Sequence, residues 1–513
     1  MRSCSAVSGP SARTVKTPSS AAVNVTLRLK YAVPSRHRGS ALTGCVSRDS
    51  GTSGPPLDEL LQAGCAAGLE CGSSGGPALP FDRASIAARA RSGRLQAATD
   101  GGDERMRSTD TTDTTDTTDL PAFPMPSPFP GEPPIAFAQL REEKPVARVR
   151  LPTGDEAWLV TGHAENRIVL TDARFSRAAA AAPGAPRLQP IPPDPGSMLN
   201  MDPPEHTRLR RLVAPAFTPR RIEDLRPALR RDVDALLDDL LAAGPPADLV
   251  TGFARRLPVA VICELLGVPG SDRRRITEWV DLLLSLTTHP PQRIAAARRE
   301  MKAYLAGLVE SARDRPGNGL LSQVIEAYDE IGGTDDEEVV MLAATILTGG
   351  FLTTAGEIAL SIVTLLRHPE QLAALRREPE TLPRAVEELL RYNVLTTGGG
   401  LLRVATEDVV LGGVRIRAGE AVLPAISAAN RDPRVYTEPD VLDFRRPDNP
   451  HITFGLGVHY CLGAKLARIE LEEALAGVLR RLPPTLRLAG DMTALAVHPG
   501  HLVRGLPELP ITW

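Results

Sequence analysis

Apolar and polar residues alternate in two short runs near residue 150, residues 147–151 and 157–160. The runs flank Pro152-Thr153-Gly154-Asp155, and two alternating runs around such a turn sequence predict a β-hairpin. Other strand-like runs lie at 409–411, 414–416, 421–423 and 502–513. Between Thr207 and Tyr392, apolar residues recur every three or four positions, which is the period of amphipathic helices. The pattern predicts a mainly α fold with a minor β region built from both ends of the chain.

The longest apolar pattern has clear end signals. Thr334-Asp335-Asp336-Glu337 has the spacing of a capping box. Apolar positions then continue until His368-Pro369, where a proline cannot extend a helix. We expect one unbroken central helix between these two signals.

Residues 1–105 differ in composition from the rest of the 513-residue chain. They are rich in Ser, Gly, Ala and Arg and show no sustained period, so they cannot bury enough apolar surface to become ordered. An Asp-Thr-Thr repeat and a proline-rich stretch follow, and they predict a disordered lead-in over residues 106–132. We expect Met106 to be the true start and residues 1–105 to be a gene-model artefact, with a targeting peptide as the alternative. Residues 133–513 then form the catalytic domain.

Charge and apolar content narrow the class of protein. The 59 Lys and Arg and 62 Asp and Glu residues give a formal net charge of −3, which offers no case for nucleic acid as a partner. No uninterrupted apolar stretch approaches the length of a membrane-spanning helix, so we expect no membrane anchor. After residue 105 the cysteines are Cys263 and Cys461, as is typical of a reducing cytosol. We therefore expect a cytoplasmic protein, and a monomer.

A glycine-rich loop near the C-terminus holds one of these cysteines. It reads Phe454-Gly455-Leu456-Gly457-Val458-His459-Tyr460-Cys461-Leu462-Gly463. The glycines allow tight turns and a close approach to a flat cofactor. An amphipathic helix is predicted from Gly463 onward, and its positive N-terminal end favours a thiolate at Cys461. A buried structural cysteine in a glycine-rich turn is the alternative.

This loop resembles the signature of the cytochrome P-450 superfamily at Phe454, Gly455, Gly457, His459, Cys461 and Gly463. The resemblance extends from about Leu120 to Trp513. It implies the mainly helical cytochrome P-450 fold and haem b (iron protoporphyrin IX), with Cys461 as the axial ligand of the iron. It also implies electrons from NAD(P)H through a ferredoxin and a ferredoxin reductase, since no redox domain follows the haem helix in this sequence.

Two further sets of residues match the family. Glu388 and Arg391 are three apart on a predicted helix and resemble the family's Glu-x-x-Arg pair, with Arg446 as the third, structural member. His206 and Arg210 are four apart and share a helix face. The resemblance makes these two, together with Arg403 and His459, partners of the haem propionates; Arg208 and Arg211 are interpreted as surface residues.

The centre of the long helix departs from the family. Gly350 and Thr353 match the family's oxygen-activation motif, but Leu352 stands where the motif has an acid. Thr353 keeps a hydroxyl that can donate a proton, while its usual partner is missing. Predicted pocket walls are residues 184–199, 346–352, 395–402 and 498–503.

Three functions remain open at this point. The first is a monooxygenase that oxidises an apolar small molecule, a natural product, in secondary metabolism. The second is an enzyme that couples two carbons of an aromatic cyclodipeptide-like substrate, because residues 350–355 are similar to those of such enzymes; those enzymes carry an arginine where this chain has Val503. The third is a non-catalytic haem-binding protein.

Overall fold

The computed structural model describes residues 120–317, 319–397, 400–498 and 500–513. The predicted extension 1–105 and residues 106–119 of the predicted lead-in lie outside the described residues. The proposed start at Met106 therefore stays a prediction.

Helices dominate the described chain. The N-terminal half contains α1 (Ile135–Glu143), α2 (His163–Thr171), α3 (Arg177–Ala180), α4 (Glu205–Val213), α5 (Pro219–Asp224), α6 (Arg226–Ala243) and α7 (Arg256–Leu266). The C-terminal half contains α8 (Arg273–Leu283), α9 (Pro291–Asp314), α10 (Leu320–Glu330), α11 (Asp336–Gly350), α12 (Leu352–Arg367), α13 (Pro369–Arg377), α14 (Leu382–Tyr392), α15 (Ile426–Ala429) and α16 (Ala464–Arg481).

The strands are short and come from both ends of the described chain. They are β1 (Val146–Arg150), β2 (Glu156–Val160), β3 (Phe175–Ser176), β4 (Ala247–Asp248), β5 (Arg403–Ala405), β6 (Val409–Leu411), β7 (Val414–Ile416), β8 (Ala421–Pro424), β9 (Arg487–Leu488) and β10 (Pro510–Thr512). The main sheet has the order β1-β2-β8-β5-β3, β4-β10-β9 form a second sheet, and β6-β7 form a hairpin. The predicted mainly α fold with a minor β region is confirmed.

The predicted hairpin near residue 150 is confirmed, with Val146 paired to Val160 in an antiparallel ladder. Strand β8 then lies parallel to β2, and β5 lies antiparallel to β8. Strand β3 is the last strand at the other edge of the sheet, where Ser176 pairs with Val404 of β5. The predicted C-terminal strand over 502–513 is too long, since only β10 forms there.

The predicted disordered lead-in over residues 106–132 is wrong for its described part. Phe123 and Met125 are buried in the core. The Phe123 amide donates to the Arg150 carbonyl at 2.8 Å, and the Arg150 amide donates to the Pro121 carbonyl at 2.9 Å. Proline-rich sequence becomes ordered here because it pairs with the edge strand β1 and covers apolar surface.

The predicted unbroken central helix is also wrong. It is two helices, α11 and α12, separated at Phe351, whose φ of −125° and ψ of −43° are not helical. Asp335, not Thr334, caps the start, because its Oδ1 accepts from the Glu337 amide at 3.0 Å. The interruption falls inside the segment where the sequence resembles an oxygen-activation motif.

The core lies between the long helices. α12 packs on α16 and α14, and α11 packs on α7 and α9. By length and composition alone residues 336–367 could cross a membrane, but 78% of their most apolar window is buried inside the protein. Their apolar character is therefore explained by their place in the core.

Candidate active site

The Cys461 loop folds back on itself before α16. The Cys461 amide donates to the Phe454 carbonyl at 2.9 Å. Gly455 and Gly457 have φ values of 71° and 68°, which favour glycine. A Cβ at Gly457 would also lie 2.9 Å from the Leu170 carbonyl oxygen of α2. Gly463 differs, because its φ is −85° and a Cβ there would meet open space.

The electrostatics of Cys461 differ from the expectation. The side chain retains accessible surface, but burial among protein atoms raises the pKa of its thiol, although the Gly463 amide, Arg210 and Arg468 act to lower it. Burial therefore opposes the effect of the helix N-terminus on this sulfur. A metal cation bound to the sulfur would supply the missing positive charge, because a coordinating thiol is deprotonated.

An ion pair that the sequence analysis missed attaches this loop to α14. Arg468 of α16 donates to Glu387 from Nε at 2.6 Å and from Nη2 at 2.9 Å. His451 Nε2 lies 3.0 Å from Glu387 Oε2. Burial would raise the pKa of Glu387, but these two partners lower it to about 2. The Arg468 guanidinium also lies 4.4 Å from the centre of the Phe454 ring, at the start of the loop.

The structure brings Arg391 and Arg446 into contact with Glu388. Arg391 donates to Glu388 from Nη2 at 2.7 Å and from Nε at 2.8 Å, and both side chains are almost fully buried. Arg446 Nε lies 3.2 Å from Glu388 Oε2. The backbone amide of Asp443 and the side-chain amide of Asn449 donate to the same carboxylate, at 3.0 and 3.2 Å. A buried carboxylate with this many donors stabilises the packing of three chain segments.

A group of four basic side chains lies near the Cys461 loop, three of them buried and His459 half-buried. We call it the basic cluster: Arg177, His206, Arg403 and His459. The rings of His206 and His459 have centroids 4.3 Å apart. Burial, followed by His206, Arg403 and Arg177, lowers the pKa of His459 to about 3. Burial and Arg403 lower the pKa of Arg177 to about 9, and burial lowers that of Arg403 to about 10. These groups repel one another's positive charge.

The basic cluster lacks an anionic partner among the described residues. Asp202 is the nearby acid, but it accepts from the Arg177 amide at 3.0 Å and from the Ser176 hydroxyl, at the start of α3. His206 Nδ1, Arg403 Nε and His459 Nε2 are buried without a hydrogen-bond partner. Buried donors of this kind require acceptors. The two propionates of haem fit this requirement, so the residues present fit the cofactor that the sequence implies.

Arg177 belongs to this cluster but has no sequence signal that would have identified it. Its guanidinium donates to the carbonyls of Leu199 and Leu402 and to Asn200. It faces Arg403 only because β3 pairs with β5. Such a neighbour cannot be inferred from spacing along the chain.

Arg208 and Arg210 of α4 have different surroundings. Arg210 Nη2 donates to the Tyr460 carbonyl at 2.6 Å, which places Arg210 against the Cys461 loop. Arg208 lies at the surface and pairs with Glu338. The interpretation of Arg208 as a surface residue agrees with this contact.

The segment with the missing acid has a local structure of its own. The Thr353 hydroxyl donates to the Gly349 carbonyl at 2.9 Å, across the interruption at Phe351. A Cβ at Gly350 would lie 2.6 Å from Ile262 Cδ1 of α7, so a larger residue there would require the Ile262 side chain to move. Leu352 is buried within the apolar cluster around α7 and α11. No proton donor therefore occupies the position of the missing acid.

A cavity borders α11, and we call it the main cavity. All four predicted pocket walls contribute to it, for example through Leu188, Thr348, Leu402 and Leu502. Residues 398, 399 and 499 of these walls lie outside the described residues. The sequence analysis missed the contributions of α8 and α9, including Arg298. A cavity of this kind, largely apolar with a few polar groups, suits a small organic molecule.

Comparisons with known proteins extend these observations. The family described as Cytochrome P450 matches residues 259–486. Nocardicin C N-oxygenase of Nocardia uniformis subsp. tsuyamanensis is 50% identical over 378 residues, which are 74% of this chain and 94% of that protein. Mycinamicin IV hydroxylase/epoxidase of Micromonospora griseorubida is 45% identical over 377 residues, with the same coverage.

Solved structures of cytochrome P450 proteins are also similar to this chain. The crystal structure of HinD with NMFT and NO has a TM-score of 0.74 and 46% identity, and the match covers 77% of this chain and 100% of that one. Cytochrome P450mel 107F1 with biaryl coupling reactivity has a TM-score of 0.71 and 40% identity, over 74% of this chain and 97% of that one.

The fold and the site define a mainly helical protein in which a loop cysteine lies near the basic cluster. With relatives of this identity and coverage, the chain belongs to the cytochrome P450 family. It is a cytochrome P450 monooxygenase, and the cofactor of the family is haem bound through a thiolate.

Proposed function

We propose that this protein binds haem b through Cys461 and uses dioxygen to oxidise an apolar small molecule held in the main cavity. The observation that carries the proposal is the basic cluster, whose buried donors need an anion next to the cysteine loop. When bound through a thiolate, haem supplies the activation of dioxygen. His206, Arg210, Arg403, His459 and the added Arg177 are its proposed propionate partners.

The remaining site residues act around the cofactor. Glu387 and Arg468 hold the cysteine loop against α14, and Glu388, Arg391 and Arg446 fix the segment that precedes it. Thr353 presents a hydroxyl beside the interruption of the central helix, where it can hold or donate a proton. Gly350 allows the close packing of α7 against this point.

The names of two relatives support a role in the tailoring of natural products. They are an N-oxygenase of nocardicin C and a hydroxylase/epoxidase of mycinamicin IV. We propose a reaction of this class, in secondary metabolism, for this chain. We also propose that a ferredoxin and its NAD(P)H-linked reductase supply the electrons, as for the family that the sequence resembles.

Oxidative coupling is the second candidate, and the similarity of residues 350–355 to those of coupling enzymes supports it. Coupling two carbons removes one hydrogen from each and inserts no oxygen atom, while dioxygen takes up two electrons and two further protons and is reduced to two molecules of water. The protons must then come from a group other than the apolar Leu352. A structural relative with biaryl coupling reactivity shares the fold. The substrate of such a reaction would be aromatic, and a cyclodipeptide is one example.

The carbon monoxide difference spectrum of the reduced protein tests the proposal. We expect the red-shifted Soret band of a thiolate-ligated haem, and Cys461→His should abolish it even where haem stays bound. Cys263→Ala is the matched control, because Cys263 is a buried cysteine of the core, and it should keep the band. An unchanged band in Cys461→His contradicts the proposal, and normal spectra without any product would favour the non-catalytic haem binder.

A further inference from the structure

The charged residues of the main cavity are unbalanced. Arg177, Arg187, Arg298 and Lys302 line it, and Asp194 is the acid among its lining residues. Burying an unpaired charge is costly, so an excess of positive charge is unfavourable in a cavity that binds only apolar molecules. The excess of positive charge therefore bears on the charge of the ligand that the cavity binds.

Two of the four cations are accounted for. Arg177 belongs to the basic cluster and is held by three acceptors. Lys302 pairs with Glu337 and lies 3.7 Å from Asp194. Arg187 and Arg298 are left without a carboxylate among the described residues.

Arg298 is better placed than Arg187 to bind a ligand in the cavity. It lies on α9 and is half-buried, and its Nη1 donates to the Pro192 carbonyl at 2.9 Å. This is its one hydrogen bond to the described part of the chain, and no described carboxylate lies within 4 Å of the guanidinium. Burial lowers the pKa of Arg298, while the more distant Asp194 raises it. The adjacent Arg299 is exposed and does not line the cavity.

Arg187 comes from the segment between α3 and α4, and its backbone is held by hydrogen bonds. Its amide donates to Asp155 Oδ2 at 2.9 Å, and its carbonyl accepts from the Thr153 hydroxyl. Its guanidinium makes no hydrogen bond or ion pair with the described residues. A ligand that binds this guanidinium therefore has to order the side chain of Arg187 but not its backbone.

The rest of the cavity is largely apolar, with a few uncharged polar side chains. Met301 lies one turn after Arg298 on α9, and Met341 and Ala344 of α11 lead along the wall to Thr348, two residues before Gly350. A ligand in this space meets guanidinium groups at one part of the wall and apolar side chains towards the interruption of the central helix. Guanidinium groups bind carboxylates with paired, charge-assisted hydrogen bonds.

We propose that the substrate is an apolar molecule with a carboxylate, and that Arg298, assisted by Arg187, binds this carboxylate. The inference rests on the proposed function of the main cavity as the substrate site. It names the class of substrate and makes Arg298 a specificity-determining residue.

Binding of matched probe pairs to the haem-loaded full chain tests this. The probes are 4-phenylbutanoate, 2-naphthylacetate and decanoate, each compared with its primary amide, by calorimetric titration and by the shift of the Soret band. We expect at least one acid to bind about tenfold or more tighter than its amide, because hydrogen bonds to a charged group are the stronger ones. Arg298→Gln should remove most of this preference, and Arg298→Lys should restore part of it.

Arg299→Gln is the matched control, and it should keep the preference. Amides that bind as tightly as the acids, a panel in which no acid binds, or an equal loss in both glutamine variants would overturn the proposal. The carbon monoxide spectrum of the same samples shows whether a negative result concerns the carboxylate site or the proposed function itself. A protein with the thiolate band but no preference for acids refutes the carboxylate site alone, whereas a protein without the band refutes the proposed function.

Discussion

The imidazole rings of His206 and His459 lie 4.3 Å apart, with their planes tilted by 53°. One ring belongs to α4 and the other to the cysteine loop, and each keeps one buried nitrogen without a partner. Burial lowers the pKa of both side chains, which favours the neutral form of each ring. The two rings beside two buried arginines form a site with donors for an anion.

Removal of one member of the basic cluster should weaken the binding of haem. In His206→Ala, Arg403→Ala, His459→Ala or Arg177→Ala, a buried propionate is left short of a donor, which costs about 1–3 kcal/mol. We expect the same direction for Arg210→Ala. The measurement is the rate at which haem passes from each variant to an acceptor protein such as apomyoglobin.

Arg208→Ala provides the control on the same helix as His206, because Arg208 makes a surface ion pair with Glu338. It should release haem at the wild-type rate. Equal retention by every variant would show that these residues do not hold the propionates.

Arg446 and Arg445 are neighbours with very different environments. Arg446 is nearly buried and binds Glu388, whereas Arg445 is exposed and lies 3.3 Å from Glu378. Arg446→Gln removes one of several donors to the buried Glu388 carboxylate, which should cost about 1–3 kcal/mol in the free energy of unfolding. Arg445→Gln should change it by about 0.5 kcal/mol or less. Chemical denaturation of both variants checks this, and equal effects would refute a structural role for Arg446.

Leu352→Glu tests how protons reach the cofactor. The side chain of Leu352 is buried among apolar residues, so a carboxylate there meets a desolvation cost. We expect the variant to bind substrate more weakly and to form less product per NAD(P)H consumed. The readouts are product and peroxide per reducing equivalent, with Thr353→Ala as the reference. A clear gain in product would instead show that the missing acid limits an ordinary proton relay.

Glu357 of α12 should make stability depend on pH. Burial raises the pKa of its carboxyl from 4.5 to about 8, although Asn393 and Ser361 donate to it. The folded state therefore holds a proton that the unfolded state releases above about pH 4.5, so the free energy of unfolding falls as the pH rises from about 4.5 to about 8. Burial raises the pKa of Glu470 to about 8 as well, with the same sign.

Glu357→Gln should flatten this decline, and adding Glu470→Gln should flatten it further. The measurement is urea denaturation at several pH values between 4 and 9. Glu370→Gln, at an exposed glutamate after the end of α12, should leave the slope unchanged. A pH slope of Glu357→Gln equal to that of the wild type would contradict the assignment.

Local sequence determined much of the site. The glycine pattern around Cys461 needs only neighbouring residues, so the loop and the helix α16 could be predicted from it. Glu388 and Arg391 are three apart on one helix, and the hairpin β1-β2 joins adjacent runs. In each case the interacting groups are close along the chain, so the spacing of the residues defines the contact.

Tertiary structure decided the rest. Arg177 meets Arg403 because β3 pairs with β5, and Arg298 reaches the main cavity because α9 packs on α11. The order of residues 120–132 and the interruption at Phe351 also depend on contacts with distant segments. Sequence periodicity records which face of an element is apolar, but not which distant segment covers that face. The partner of a buried charge is therefore visible only when the chain is folded.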